Sequence, residues 1–434
     1  MIPQIHSAAI RQSRFVNRSP IFYGWIIMFV GTLGLIMTSP GQTYSISVFV
    51  EYFIGDLGLS RSSVSTIYTV STLIGSFALP VVGGQIDRRG VRLMMTVIVV
   101  LFGLACIYMG FVLNALMLAL GFVAIRMLGQ GSLTLVSQNA INQWWVRRRG
   151  TMMGISGMML SLLGLGTFPN LINRLIPLYG WQGTYMLLGL LLLAVMAPLA
   201  FILIRNRPEQ YGLEPDGHKT SAADQTKAPA DPIEENWTLS EAMHAPMFWT
   251  LTLSIGLIAM LGTGLIFHAV SIFNDNGFSA TVAATVFVPL SLTTATVNIT
   301  SGVLADRLPL RLLLAVALVF LTLSLLLVQS LQNIWLTYLY GVLLGTTFGL
   351  MHIVNSVSWA KYFGRQYLGS ITGVTTTVMI AGSALGPMPL GIARDQMGSY
   401  NVILSIFAVL PLILAVVSLS SGQPRKRDDV PDLS

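Results

Sequence analysis

Gly83-Gly84-Gln85-Ile86-Asp87-Arg88-Arg89-Gly90-Val91-Arg92 and Gly302-Val303-Leu304-Ala305-Asp306-Arg307-Leu308-Pro309-Leu310-Arg311 are two versions of one loop. Gly, Asp, Arg and Arg recur between them at a constant offset of 219 residues, from 87 to 306. The same offset aligns Gly150-Thr151-Met152-Met153-Gly154 with Gly369-Ser370-Ile371-Thr372-Gly373. One offset therefore holds across four consecutive apolar segments in each half. A duplicated unit of six segments predicts that agreement, and chance does not.

Outward from these loops the chain divides into twelve apolar segments of membrane-spanning length. The first six cover about 23–51, 61–86, 91–113, 115–141, 150–173 and 181–204. The second six cover about 246–273, 279–303, 309–331, 333–359, 369–393 and 398–421. Hydrophobic residues make up 54% of the 434 and charged residues 9%, too few to clothe a soluble chain of this length. The segments must face lipid, so the expected fold is all-α and integral to the membrane. Twelve transmembrane helices form two pseudo-symmetric six-helix bundles.

Alternating the loops from side to side collects 20 of the 24 basic residues on one side. They include Arg11, Arg14, Arg18, Arg147 to Arg149, Lys219, Lys227, Lys361, Arg365 and Arg425 to Arg427. Only Arg61, Arg174 and Arg394 fall on the other side, and Arg126 lies inside a helix. The positive-inside rule then puts both termini in the cytoplasm. The net charge of +7 reflects this topology; it forms no basic face for nucleic acid. The first apolar run is too long for a signal peptide and is followed by no small-residue cleavage site, so it reads as a retained helix. The divisions are a tail at 1–22, a bundle at 23–204, a linker at 205–245, a bundle at 246–421 and a tail at 422–434. The linker's centre, rich in Ala, Asp and Lys, reads as disordered, and Thr238 with Glu241 has capping-box spacing ahead of the seventh segment.

Polar residues inside such segments mark function or helix contacts. Arg126 stands near the middle of the fourth segment, followed at four-residue steps by Gln130, Thr134 and Gln138. An ionised group there is costly unless it faces a polar cavity or a partner. It reads either as a substrate-binding cation or as a structural arginine on backbone carbonyls. Weaker candidates for the wall of a central cavity are Gln42 and Tyr44 beside the Pro40-Gly41 break, His268, Asn298, His352 and Asn355. Gly341, Gly345 and Gly349 suit close helix packing. All 17 acidic residues lie outside the segment centres, so only His268 or His352 is available to carry a proton within them. Exchange, facilitated uptake and a histidine-linked proton route all remain open. The single cysteine, Cys106, excludes a disulfide framework or a cysteine metal cluster. No cluster has catalytic or ligand spacing, so neither an enzyme, a metal nor a cofactor is expected.

The Gly83-to-Arg92 loop resembles the signature loop of the major facilitator superfamily, and Gly302 to Arg311 is its second copy with Pro309 in place of a glycine. Arg126-Met127-Leu128-Gly129-Gln130-Gly131 is similar to that family's fourth-helix motif. The resemblance implies the major facilitator fold, alternating access, and gating by Asp87, Arg88 and Arg92 with Asp306, Arg307 and Arg311. Tyr23-Gly24-Trp25, Ser45 to Phe49, Asp56 to Ser60, Trp144-Trp145 and Tyr179-Gly180-Trp181 resemble the monocarboxylate and oxalate–formate branch. Two features depart from it. Tyr44 stands where monocarboxylate transporters carry a lysine, and the eighth and eleventh segments lack the basic residues of oxalate antiporters.

The expected function is secondary transport of a small organic anion, a monocarboxylate or related carboxylate, with Arg126 as the anion's partner. A coupling proton or counter-substrate, the lipid bilayer and a monomeric state complete the expectation, in a bacterial cytoplasmic membrane. The alternatives are export of an apolar or neutral compound, suggested by Gly382 to Pro387, and a non-transporting receptor or sensor.

Overall fold

The structure, a computed structural model, describes residues 13–217 and 235–424, and every regular element among them is a helix. Arg11, Lys219, Lys227, Arg425, Lys426, Arg427 and the linker's expected disordered centre lie outside the described residues.

Eleven helical stretches are long and apolar enough to cross a bilayer. Ten match expected segments one to one; the fourth and tenth run on to Trp144 and Phe363. The remaining stretch, Arg149–Leu203, is 55 residues long. A straight helix of that length would reach about 80 Å, more than twice the roughly 30 Å hydrocarbon core. It turns at Gly180, whose φ of 69° and ψ of 171° lie in a region that only glycine occupies readily. The stretch is therefore the fifth and sixth spans joined end to end, and the count among the described residues is twelve.

Breaks elsewhere have local causes. The first span stops at Ile36, passes through a tight turn at Ser39–Gly41 and resumes as Thr43–Leu57. Pro40 has no N–H to continue the ladder. Groups freed within lipid must be satisfied inside the protein. Thr38 Oγ1 donates to Leu35 O and Ser39 Oγ to Ile36 O, at 2.7 and 2.6 Å. The seventh span, Pro246–Phe267, likewise resumes as Ala269–Asp275, and the eleventh, Leu368–Leu385, as Pro387–Met397.

Apolar side chains sort by face. Phe29, Leu116, Leu292, Ile406 and Val416 are more than half exposed on the outer surface, where lipid covers them. Trp144, Trp145, Trp181 and Trp359 are buried at span ends. The indole N–H groups of the first three find oxygen: Trp144 donates to Arg205 O, Trp145 to Gly24 O and Trp181 to Asp56 Oδ2, at 3.0, 3.2 and 2.7 Å. Several residues that carry the branch resemblance are thus bonds between span ends.

The end that carries the two repeated loops, here the basic end, is also pinned by the linker. Asp216 accepts hydrogen bonds from the N–H groups of Val146, Arg147 and Arg148. Asn236 Oδ1 does the same for Arg365 and Gln366 in the equivalent loop of the second half. The short helix Leu239–His244 follows with the expected capping box, Thr238 and Glu241 bonding each other's backbone.

Gly180→Ala should lower stability by about 1–3 kcal/mol, the cost of forcing a side chain into that backbone region. A thermal melt in detergent reads it; an unchanged melting temperature would mean the turn does not require glycine.

Candidate functional site

Two regions draw polar groups together: the joint between the halves at the basic end, and the neighbourhood of Arg126.

At the joint the two halves meet through glycines. A Cβ on Gly83 of the second span would run into the Gly369 carbonyl of the eleventh, and one on Gly369 into the Gly83 carbonyl. The equivalent pair, Gly150 of the fifth span and Gly302 of the eighth, is just as close. Bare backbone contact brings each repeated aspartate to the first turn of a helix in the other half. Asp87 Oδ1 accepts from Gly369 N at 2.7 Å, and Oδ2 from Ser370 N and Ser370 Oγ, both at 2.6 Å. Asp306 Oδ1 accepts from Gly150 N at 2.7 Å, and Oδ2 from Thr151 N at 2.9 Å and Thr151 Oγ1 at 2.6 Å. A carboxylate there answers unpaired N–H groups and the positive end of the helix dipole at once. Each charge-assisted bond contributes about 1.5–3 kcal/mol.

The arginines of the same loops do different work. Arg92 Nε donates to Phe201 O at 2.8 Å, and Arg311 Nη1 to Ser421 O at 3.2 Å, so each holds the last span of its own half. Arg88 and Arg307 are exposed. A further tie across the halves was not legible beforehand. Arg365 pairs with Glu209 at 2.7 Å and donates to Gln143 O at 2.6 Å, while Gln143 Nε2 donates to Arg365 O at 2.8 Å. The basic end is closed.

Arg126 is 3% exposed and sits in a wide-turned, π-helical stretch, Arg126–Leu133, of the fourth span. Its Nε donates to Thr72 Oγ1 at 3.0 Å, and its Nη1 to Gly41 O at 2.9 Å and Thr43 Oγ1 at 3.3 Å. The guanidinium carbon lies 4.7 Å from the centre of the Tyr68 ring. Every partner is neutral, and Nη2 has none among the described residues. Arg126 thus closes the first span's break through Gly41 O and retains donors for something else. Tyr68 and Thr72, one helical turn apart on the second span, were missed; their spacing was the available signal.

The expected stripe on the fourth span divides. Gln130 Oε1 and Thr134 Oγ1 are buried without a partner, whereas Gln138 Nε2 donates to Ser356 Oγ of the other half at 3.2 Å. Tyr44 shares a hydrogen bond with Ser39 at 2.9 Å, and Gln42 Nε2 donates to Thr38 Oγ1 at 3.0 Å. Both serve the break.

The two histidines differ. His268 Nε2 bonds Pro387 O at 2.9 Å and its Nδ1 the Tyr400 hydroxyl at 3.2 Å, tying the seventh span to the eleventh and twelfth. Both ring nitrogens of His352 are buried without a partner, as is Asn298 Oδ1. His352 and Asn298 both lie against Gly157 of the fifth span. A Cβ there would lie 2.6 Å from His352 Cε1 and 3.1 Å from Asn298 Cγ. Asn355 accepts from Trp359 Nε1 at 3.3 Å. Gly341, Gly345 and Gly349 do pack closely, against the eighth span, and Gly382 and Gly386 press on the backbone of the seventh.

The sequence profile of the Major Facilitator Superfamily matches residues 41–387 and 252–432. No curated protein sequence matches the chain. Among solved structures, the chain is similar to the human organic anion transporter MFSD10 (TETRAN), with a TM-score of 0.68. That match covers 90% of this chain and 99% of the other at 17% identity, a level that shows the fold alone.

The crossed carboxylates make a separable prediction. In Asp87→Asn the amides of Gly369 and Ser370 should exchange with solvent about tenfold faster or more, with those of Gly150 and Thr151 less affected. Asp306→Asn should reverse the pattern. Hydrogen exchange read by mass spectrometry checks it, and unchanged protection in both variants would refute the latch.

Proposed function

The chain belongs to the major facilitator superfamily, and we propose that it moves a small organic anion, a carboxylate, across the membrane by alternating access. The observation that carries this reading is Arg126, a buried cation held only by neutral groups, with Nη2 donors unspent. A guanidinium without a counter-charge in an apolar bundle favours an anionic ligand, and its planar fork suits a carboxylate. The absence of acidic residues from the span centres argues against a cationic substrate. The organic anion transporter of like fold and the branch resemblance around Ser45 and Trp144 lend support of a weaker kind.

In this reading Asp87 and Asp306 hold the basic end shut, and their release opens it. The count of basic residues assigns that end to the cytoplasm of the cell that bears the protein, with both termini inside. A monomer suffices, because both halves of the joint lie in one chain. Close packing accounts for Gly382 and Gly386, so the stretch that suggested an exporter does not favour that alternative.

Thermal stabilisation of the purified protein against carboxylates, amino acids, sugars and lipophilic cations tests the reading. A bound carboxylate at a hundredfold excess over its Kd should stabilise the protein by about 2.7 kcal/mol. Arg126→Gln, which keeps a donor for Gly41 O, should lose most of that gain when each variant is compared with its own ligand-free melt. Hits confined to neutral or cationic compounds, or a gain untouched by the substitution, would leave Arg126 as a brace for the first span.

A further inference from the structure

The internal repeat reaches beyond the two signature loops. Asp56-Leu57-Gly58-Leu59-Ser60 closes the first span and Asp275-Asn276-Gly277-Phe278-Ser279 the seventh, with Asp, Gly and Ser again 219 apart. Gly58 and Gly277 both take a positive φ, 62° and 83°. Asn114 and Asn333, also 219 apart, cap the fourth and tenth spans alike, each side chain accepting from the N–H three residues on. The register of the second and fourth spans against the eighth and tenth is therefore fixed to the residue. It carries Arg126 onto Gly345, Tyr68 onto Phe287 and Ser71 onto Leu290.

Those counterparts border a recess. Ile266 and Phe273 of the seventh span, Val286, Phe287 and Leu290 of the eighth and Leu344 of the tenth line about 240 Å³ of empty space, its open mouth included. None of the lining residues is charged. One plan has thus given the two halves opposite pockets. Among the first, second and fourth spans a guanidinium lies over the Tyr68 ring. Among the seventh, eighth and tenth, Gly345 lets the tenth span close on the Leu290 carbonyl, which a Cβ would approach to 2.5 Å. The space left beside that contact is apolar.

The mouth faces the gap between the halves. Asn298 of the eighth span reaches the fifth span of the other half, donating to Ser161 Oγ at 3.2 Å. Phe287 lies eleven residues nearer the outer end, about three turns, and so stands on the same face of that helix. It is 42% exposed and Ile266 39%, which places both at the rim. Repeats related by an axis along the membrane normal keep equivalent residues at one depth. The recess therefore lies level with Arg126 and across the gap from it.

We propose that this recess seats the apolar body of the transported anion, and that the substrate is an amphipathic monocarboxylate, an aromatic or branched aliphatic acid. This rests on the anion reading above and narrows it. The carboxylate lies on Arg126 of one half, and the apolar group enters the recess of the other. The apolar body supplies affinity by leaving water, and the guanidinium supplies the preference for charge. A ligand of this kind touches both bundles at once, whereas acetate or lactate can engage only the first. A few placed polar groups in an otherwise apolar wall are the usual make-up of such a site.

Thermal melts of the full chain in lipid nanodiscs, titrated with acetate, lactate, isovalerate and hydrocinnamate, give a Kd for each. The two apolar acids should bind about tenfold tighter or more than the two short ones. Ala269→Leu fills the recess from its wall, and Ile266→Asn puts an amide at the exposed rim, where a polar side chain need not disturb folding. Each should bring the ratio of hydrocinnamate to acetate affinity, measured within the same variant, down toward one. Equal binding of all four acids, or a preference that both variants leave intact, overturns the recess and leaves the anion reading standing. The neutral amide of hydrocinnamate separates the opposite case. If it binds as tightly as the acid and both variants weaken it, the anion reading fails and the apolar seat stands. No stabilisation by any acid or amide overturns both.

Discussion

A carboxylate that crosses from one bundle to the first turn of a helix in the other holds this molecule in the conformation described. Asp87 and Asp306 each collect two backbone N–H groups and one hydroxyl, at sites related by the internal repeat. Those bonds require the backbones to approach without side chains between them, which the pairs Gly83–Gly369 and Gly150–Gly302 permit. Within lipid there is no hydrophobic force to press two bundles together, so packing and polar contacts must do it. Two equal joints on either side of a pseudo-twofold axis can open together, which suits a device that must reorient as a whole.

Unsatisfied backbone is the second constraint, and it explains Arg126. A span broken at Pro40 frees carbonyls that lipid cannot serve. Thr38 and Ser39 take two donors' share of that work, and Arg126 takes Gly41 O. One arginine thereby fastens the first, second and fourth spans around the place where an anion would sit. On the proposed function, the structural and functional readings of Arg126 would be two uses of different nitrogens on one guanidinium.

Several of these features could be read ahead of any coordinates. The offset of 219 between Asp87 and Asp306 locates both joints, and the small residues that follow Gly150 and Gly369 were visible at the same spacing. The mid-helix position of Arg126 follows from counting. Its partners do not, because Tyr68, Thr72 and Gly41 are distant along the chain and ordinary in type. The polar stripe on the fourth span was read as one surface, yet its upper part faces its own half and its lower part the other. The wide turns at Arg126–Leu133 carry the upper part and end just before the lower.

His268 and His352 mark the boundary of what a sequence can decide. By type and by apolar setting they are alike, though His268 ends the seventh span and His352 lies within the tenth, and either was a candidate for a proton. Position along a helix is a local property, set by 1.5 Å of rise per residue, so the twelve crossings, the repeat and the depth of each polar group were present in the chain itself. Whether a side chain is satisfied depends on atoms brought near it by the packing of other spans. Pro387 and Tyr400 arrive beside His268 and occupy both its nitrogens, whereas Gly157 and Asn298 arrive beside His352 and occupy neither. That difference is a fact of tertiary structure, since hydrogen bonds depend on distance in space and the chain specifies distance only along itself.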